Sequence, residues 1–388
     1  MSHPVEPSRT TMPTAAIPTP ADGRIFHPKP ALPAPIDSVG KRAWLKTNLF
    51  SSPLNTLVSM TLLALLAWAI PPLLDWLFIS ANLSGQTQAA CTGDGACWVF
   101  IKVWLQPLVY GSYPDASLWR VNLSLILLAA VLSSPYWLPR QLRNKVDILL
   151  LLAFPFMAII LLDGRLLGLE YVSTAYWGGF SLNLFLASAS IILGMPLGFL
   201  WALGRRSQMP MARSICVILI EFFRGVPVLA LFFMGSVMLP LFFPEGTNVD
   251  KLLRVWIVLT LFMAGYMAEV YRGGFQAIPS GQYEAAAAIG LSYWQTTLLV
   301  ILPQVIKISM PNILATAVML FKNTTFLMII GIFEVLSTAQ NALTNSSWLG
   351  GFSTEAYLFV AVVYWICCFS MSMVATRIER KLDTSHQS

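Results

Sequence analysis

The chain has 388 residues, of which 56% are hydrophobic and 11% charged, with a formal net charge of +6. Soluble domains carry about 25% charged residues, so a soluble globular protein of this length would show water an apolar surface, and that class is excluded. The three histidines, His3, His27 and His386, lie in the tails, so no imidazole is left in the folded part for metal, nucleophile-pair or general-base chemistry. The basic residues are scattered between apolar runs and form no stripe, which argues against nucleic acid and for membrane-protein loops.

Residues 1–40 hold nine of the 25 prolines and almost no large apolar side chains. Such a composition buries no core, and a disordered cytoplasmic tail is predicted over residues 1–45. It lacks the apolar run of a signal peptide, so the first span is expected to act as the insertion signal.

A bilayer-spanning helix needs about 20 mostly apolar residues. Eight runs qualify: Leu54–Ile79, Val121–Leu138, Val146–Leu162, Leu182–Leu203, Ile215–Leu241, Leu252–Met267, Ile306–Ile332 and Ala356–Ala375. An all-α polytopic membrane protein is therefore expected, with three spans in residues 46–170 and five in residues 175–380. Placing both termini in the cytoplasm puts Lys41, Arg42, Lys46, Arg140, Arg143, Lys145, Arg205, Arg206, Arg213, Arg377, Arg380 and Lys381 inside. Only Lys102, Arg120, Arg165, Lys251 and Arg254 then fall outside, the asymmetry that orients membrane proteins.

Cys91 and Cys97 bracket Thr-Gly-Asp-Gly-Ala in the first outside loop. An oxidising periplasm permits a disulfide there; two free loop thiols are the alternative. Cys216, Cys367 and Cys368 lie in apolar runs and read as packing residues.

The long inside segment from Tyr271 to Pro303 predicts two short helices. The first covers Gly281–Ile289, N-capped by Ser280, with Glu284 in its first turn, four alanines after it and Gly290 as the stop. The second starts at Ser292 with Gln295 three residues on, a capping-box spacing, and runs to Pro303. Small side chains let another surface approach closely, which suits a docking knob; an amphipathic connector lying on the membrane is the bland alternative.

Glu284-Ala285-Ala286, three residues, Gly290, then Val300, Leu302 and Pro303 resembles the EAA signature of permease subunits in bacterial ABC importers, with Val300 replacing the usual isoleucine. Glu221–Pro227 (EFFRGVP), Ala268–Gly274 (AEVYRGG) and Lys322-Asn323-Thr324-Thr325 resemble blocks of the polar amino acid branch of that family. The three leading spans and the tail are similar to one permease of the general L-amino acid importers. The resemblance implies that the last five spans form a type I importer core and that residues 281–303 dock on a cytosolic ATPase dimer. It also implies a second, related permease subunit, a periplasmic amino acid binding protein, and placement in the bacterial inner membrane. Glu284, Ala285, Ala286, Gly290, Leu302 and Pro303 are then the ATPase-coupling residues. The sequence contains no G-x-x-x-x-G-K-[ST] phosphate cradle, so no cofactor is expected on this chain, ATP belongs to the partner, and the subunit is non-catalytic.

Ionisable residues within spans are functional candidates by default. Lys322, followed by Asn323, Thr324 and Thr325, is placed to meet a substrate carboxylate, and Glu269 or Glu334 to meet its ammonium group. The alternative pairs Lys322 with one of these acids or lets it snorkel. Pro311 is expected to kink or break its helix. Glu221 and Arg224, three residues apart, are expected to pair on one helix face. The rival function is an ion-coupled secondary transporter of small polar solutes.

Overall fold

The computed structural model describes residues 40–137, 140–244, 246–247, 249–348 and 351–382. The proline-rich stretch 1–39 lies outside the described residues. The chain divides into two units, at Leu73 and Leu74. In the first, helix α1 (Lys41–Asn48) begins inside the stretch expected to be tail. Helix α2 starts at Pro53 and ends at Leu74, continuing as a wider π-turn over Asp75–Ile79. It is apolar all round, as a helix surrounded by lipid is.

The second unit is also helical. Its helices are α3 (Trp98–Tyr110), α4 (Leu118–Trp137), α5 (Arg140–Asp163), α6 (Gly179–Arg206), α7 (Pro210–Gly225) and α8 (Val228–Phe233). They are followed by α9 (Lys251–Gln276), α10 (Ser280–Ala288), the single turn α11 (Tyr293–Gln295), α12 (Leu302–Asn323), α13 (Val335–Leu343) and α14 (Ser353–Leu382). Among the described residues, seven helices are long and apolar enough to cross a membrane, or eight when a bent pair counts as one span.

That bent pair corrects the expected single span Ile215–Leu241. The chain turns by 107° between Pro210–Gly225 and Val228–Phe242. The cause is local: Val226, preceding Pro227, is pushed to an extended conformation, and Pro227 has no N–H with which to continue the ladder. Pro311, by contrast, is absorbed without a break in α12. The helix instead ends at Asn323, where a 3₁₀ segment over Thr324–Ile330 takes over, so the expected span Ile306–Ile332 changes character near its end.

Spans in lipid gain little from apolar burial and rely on close contact through small residues. The α6–α9 packing shows this: a Cβ on Gly194 would lie 2.6 Å from Met263 Cγ, and one on Gly198 2.7 Å from the Ala264 carbonyl. Helix α3, too short to be read as a span, shares a second core with α13 and α14. There Phe100 stacks on Phe352 at 5.7 Å and meets Trp348 edge-on at 5.5 Å, with Val335, Ala339 and Ala356 around them.

Candidate functional site

The segment after α9 forms a knob of two helices joined at Gly290. Pro279, not Ser280, is the N-cap of α10, and Glu284 falls beyond its first turn. Gly290 adopts φ +78°, a left-handed conformation that glycine reaches without Cβ strain. There the Leu291 N–H returns to the Ala286 carbonyl at 3.1 Å. The Ser292–Gln295 capping box is present: the Ser292 N–H donates to Gln295 Oε1 at 2.9 Å and the Gln295 N–H to Ser292 Oγ at 3.4 Å.

The second helix does not stop at Pro303. A π-turn over Thr296–Ile301 leads straight into α12, with Pro303 in its first turn. Proline is tolerated there because its missing N–H falls where the widened turn has already disrupted the α ladder. The Gln304 side chain ties the two helices, donating to Gln282 Oε1 at 3.1 Å and to the Val300 carbonyl at 2.8 Å.

Of the six knob residues, Ala286 faces inward at 3% exposure and Leu302 is half-buried, whereas Glu284, Ala285, Gly290 and Pro303 are exposed. Around them Ile289, Tyr293, Trp294 and Leu299 stand in the open, with Tyr293 and Trp294 edge-on at 5.4 Å. An exposed apolar patch of this kind marks an interaction surface. The knob is fastened to the end of α6 by Arg206, which donates to Tyr283 Oη at 3.3 Å and lies 4.5 Å over the Phe275 ring.

Next to the knob, Glu269 is the hub of a charge cluster. Arg272 pairs with it from the same helix, its Nε donating at 2.9 Å. Arg224 of α7 and Arg205 of α6 approach the other oxygen at 3.6 and 3.7 Å. Glu221 pairs with Arg205 at 3.0 Å rather than with Arg224, which corrects the expected i,i+3 pair. Helix-face spacing proposes neighbours, and a tertiary partner overrides it.

Glu334 stands in a different setting. It is fully buried at 0% exposure and caps α13, accepting from the backbone N–H groups of Ser337 at 2.8 Å and Leu336 at 2.9 Å. Asn183 of α6 donates to Glu334 at 3.2 Å, to Thr324 Oγ1 at 3.0 Å and to Tyr364 Oη at 2.8 Å, and accepts from the Val335 N–H at 3.1 Å. This knot ties α6, the 3₁₀ segment, α13 and α14 together. Burial pushes the Glu334 carboxyl up to about 7, against the opposing pull of the two amide N–H groups.

Lys322 is exposed and makes no ion pair among the described residues. Pairing with Glu269 or Glu334 is thereby corrected: the first acid is held by guanidiniums and the second by amides. Asn323 and Thr325 are half-buried beside it, and Thr325 Oγ1 donates back to the Lys322 carbonyl at 2.8 Å. The structure therefore separates the six pathway candidates, leaving Lys322, Asn323 and Thr325 near the surface and placing Thr324 and Glu334 inside the knot.

Residues 194–384 match the family model described as binding-protein-dependent transport system inner membrane component. Over 361 residues the chain is 44% identical to the inner membrane amino-acid ABC transporter permease protein YhdY of Escherichia coli, covering 93% of this chain and 98% of that protein. The chain belongs to this permease family. It is also 35% identical to the glutamate/glutamine/aspartate/asparagine transport system permease protein BztC of Rhodobacter capsulatus, over 92% of this chain and 96% of that one. Among solved structures, an amino acid ABC transporter with histidines aligns at 25% identity with a TM-score of 0.47, covering 52% of this chain and 92% of its own. An ion-coupled secondary transporter is not favoured by family membership.

Two features of the permease escaped the sequence. Arg254, counted above among the outside loop charges, is buried, and its Nη1 donates to the carbonyls of Ser236 at 2.6 Å and Gly235 at 3.3 Å. These belong to a π-turn over Met234–Met238, so Arg254 fixes the far end of the broken α7–α8 pair. Asn183 gave no signal beyond being a polar residue in an apolar run, which is the signal that singled out Lys322. The structure also joins Cys91 to Cys97, with a Cα separation of 5.5 Å.

Proposed function

We propose that this permease forms half of the transmembrane pathway of an ATP-driven amino acid importer in the bacterial inner membrane, with both termini in the cytoplasm. A related permease subunit supplies the other half, a cytosolic ATPase dimer the energy, and a periplasmic binding protein the substrate. The observation that carries this reading is the knob: a preorganised helix–glycine–helix unit, continuous with span α12, that exposes Glu284, Ile289, Tyr293 and Trp294. A rigid link between a docking surface and a span transmits displacement, which is what a subunit without a phosphate cradle of its own requires. The names of YhdY and BztC support amino acids as the cargo.

In the same reading Lys322 faces the pathway and meets the substrate carboxylate, with the Asn323 amide as a nearby donor and the Thr325 hydroxyl oxygen as a nearby acceptor. An exposed, unpaired lysine at this depth is costly against lipid, so a polar surround is its favourable setting.

The test is uptake of labelled amino acids into proteoliposomes containing this chain, its partner subunits and the binding protein. Uptake is expected only with ATP on the knob side. Glu284→Ala and Gly290→Asp are expected to assemble normally and lower uptake at least about tenfold, the scale of losing one good interface contact. Uptake driven by an ion gradient without the ATPase would sink the proposal.

A further inference from the structure

The loop Ser80–Cys97 and the start of α14 enclose an outer pocket unconnected with the knob. The loop is rigidly built. The Asn82 N–H donates to the Ala96 carbonyl at 2.8 Å, the Ala96 N–H to the Trp76 carbonyl at 2.9 Å, and the Trp98 N–H to the Asn82 carbonyl at 3.0 Å. The Trp98 indole adds a bond to the Leu77 carbonyl at 2.8 Å, and the Cys91–Cys97 disulfide closes the ring. A wall held at this many points needs no ordering when something binds, which favours affinity.

The chemistry of the pocket is one-sided. Two carboxylates, Asp94 and Glu355, line it together with Trp76, Gln88 and Thr354, and among the described residues no lysine or arginine does. Glu355 is only 5% exposed. Its Oε1 accepts from the Cys97 N–H at 2.9 Å, while its Oε2 has no partner among the described residues. A buried carboxylate oxygen without a partner is destabilising and rare enough to call for an explanation. A cation entering the pocket meets Asp94 and the Trp76 ring and lies in the field of the buried Glu355 carboxylate behind them.

We propose that this pocket receives a basic side chain, lysine or arginine, from the soluble binding protein when it docks on the outer face. The inference rests on the importer reading above and adds to it a contact point built jointly by the loop ahead of the family-matched core and by the start of α14 within it.

The experiment uses the complete importer in lipid nanodiscs and measures its affinity for the binding protein, alongside ATP-driven uptake in proteoliposomes. Glu355→Gln keeps an oxygen for the Cys97 N–H and removes the charge, and Asp94→Asn removes an exposed charge with no bond to lose. The double variant is expected to bind at least about tenfold more weakly and to lose most of its salt dependence, with basal ATPase activity unchanged. Asp94→Lys alone is expected to weaken binding as well. If the wild type transports yet the variants bind the binding protein as tightly as it does, the inference is overturned and the importer reading stands. If instead the pocket variants lose only saturable binding of free L-arginine, the pocket is a small-molecule site and the docking inference also falls. A wild type that shows no ATP-driven uptake defeats the importer reading itself.

Discussion

Glu269 and Glu334 are both glutamates in apolar surroundings, and they do opposite things. Glu269 is half-buried and shared by Arg272, Arg224 and Arg205, a cluster that joins α6, α7 and α9 beside the knob. Glu334 is sealed from solvent and held by backbone amides and Asn183. The difference teaches that an acid in a membrane protein is classified by its partners. Guanidiniums from its own helix and two others make a partly solvated contact that no single partner fixes. Amides at a helix start make a joint that holds only when every member is satisfied.

The largest effect on stability is therefore expected at the sealed site. Glu334→Ala leaves the Leu336 and Ser337 N–H groups and one Asn183 donor unpaired in a water-free place, which costs on the order of 2–4 kcal/mol. Accumulation in the membrane and thermal stability in detergent should both drop markedly. Glu269→Ala is expected to cost less than about 1 kcal/mol of stability, as partly solvated ion pairs do. It should nevertheless lower ATP-driven uptake, because three guanidiniums then repel one another across α6, α7 and α9. Removing Arg224 in that background, as Arg224→Gln, should restore part of the uptake. Equal losses of thermal stability for Glu269→Ala and Glu334→Ala would erase the contrast between the two sites.

How much of this was legible depended on whether the cause was local. The spans are visible because a long apolar run is a one-dimensional property, and the Ser292–Gln295 box because capping acts over three residues. The knob was found from Glu284, four alanines and Gly290 for the same reason, although the start of α10 shifted to Pro279. Helices α3 and α13 were missed: 13 and nine residues long, they are too short to register as spans and share a core with one another's side chains. Glu221 was assigned to the wrong arginine because its partner, Arg205, lies 16 residues away on another helix. Lys322, Asn323, Thr324 and Thr325 form one block in the sequence, and only the turn from α-helix to 3₁₀ sends Thr324 inward and Lys322 outward.

The contrast between the two acids is sharpest in their response to pH. Glu334 is raised from an ordinary value of 4.5 to about 7 by burial, so the folded protein binds its proton more tightly than the unfolded chain does. The resulting stabilisation is fully present below about 4.5 and is lost as pH rises through about 7, the reverse of a salt-bridged acid. A shift from 4.5 to about 7 sets an upper bound of roughly 3 kcal/mol, at about 1.4 kcal/mol for each pH unit. Thermal unfolding of the wild type in detergent should lose stability between pH 5 and 8 relative to Glu334→Gln, which has no proton to release there. All other titrating groups are common to both proteins and cancel in the difference. If the two slopes coincide, Glu334 is ionised throughout this range, and the two amide N–H groups and Asn183 outweigh burial in setting its charge.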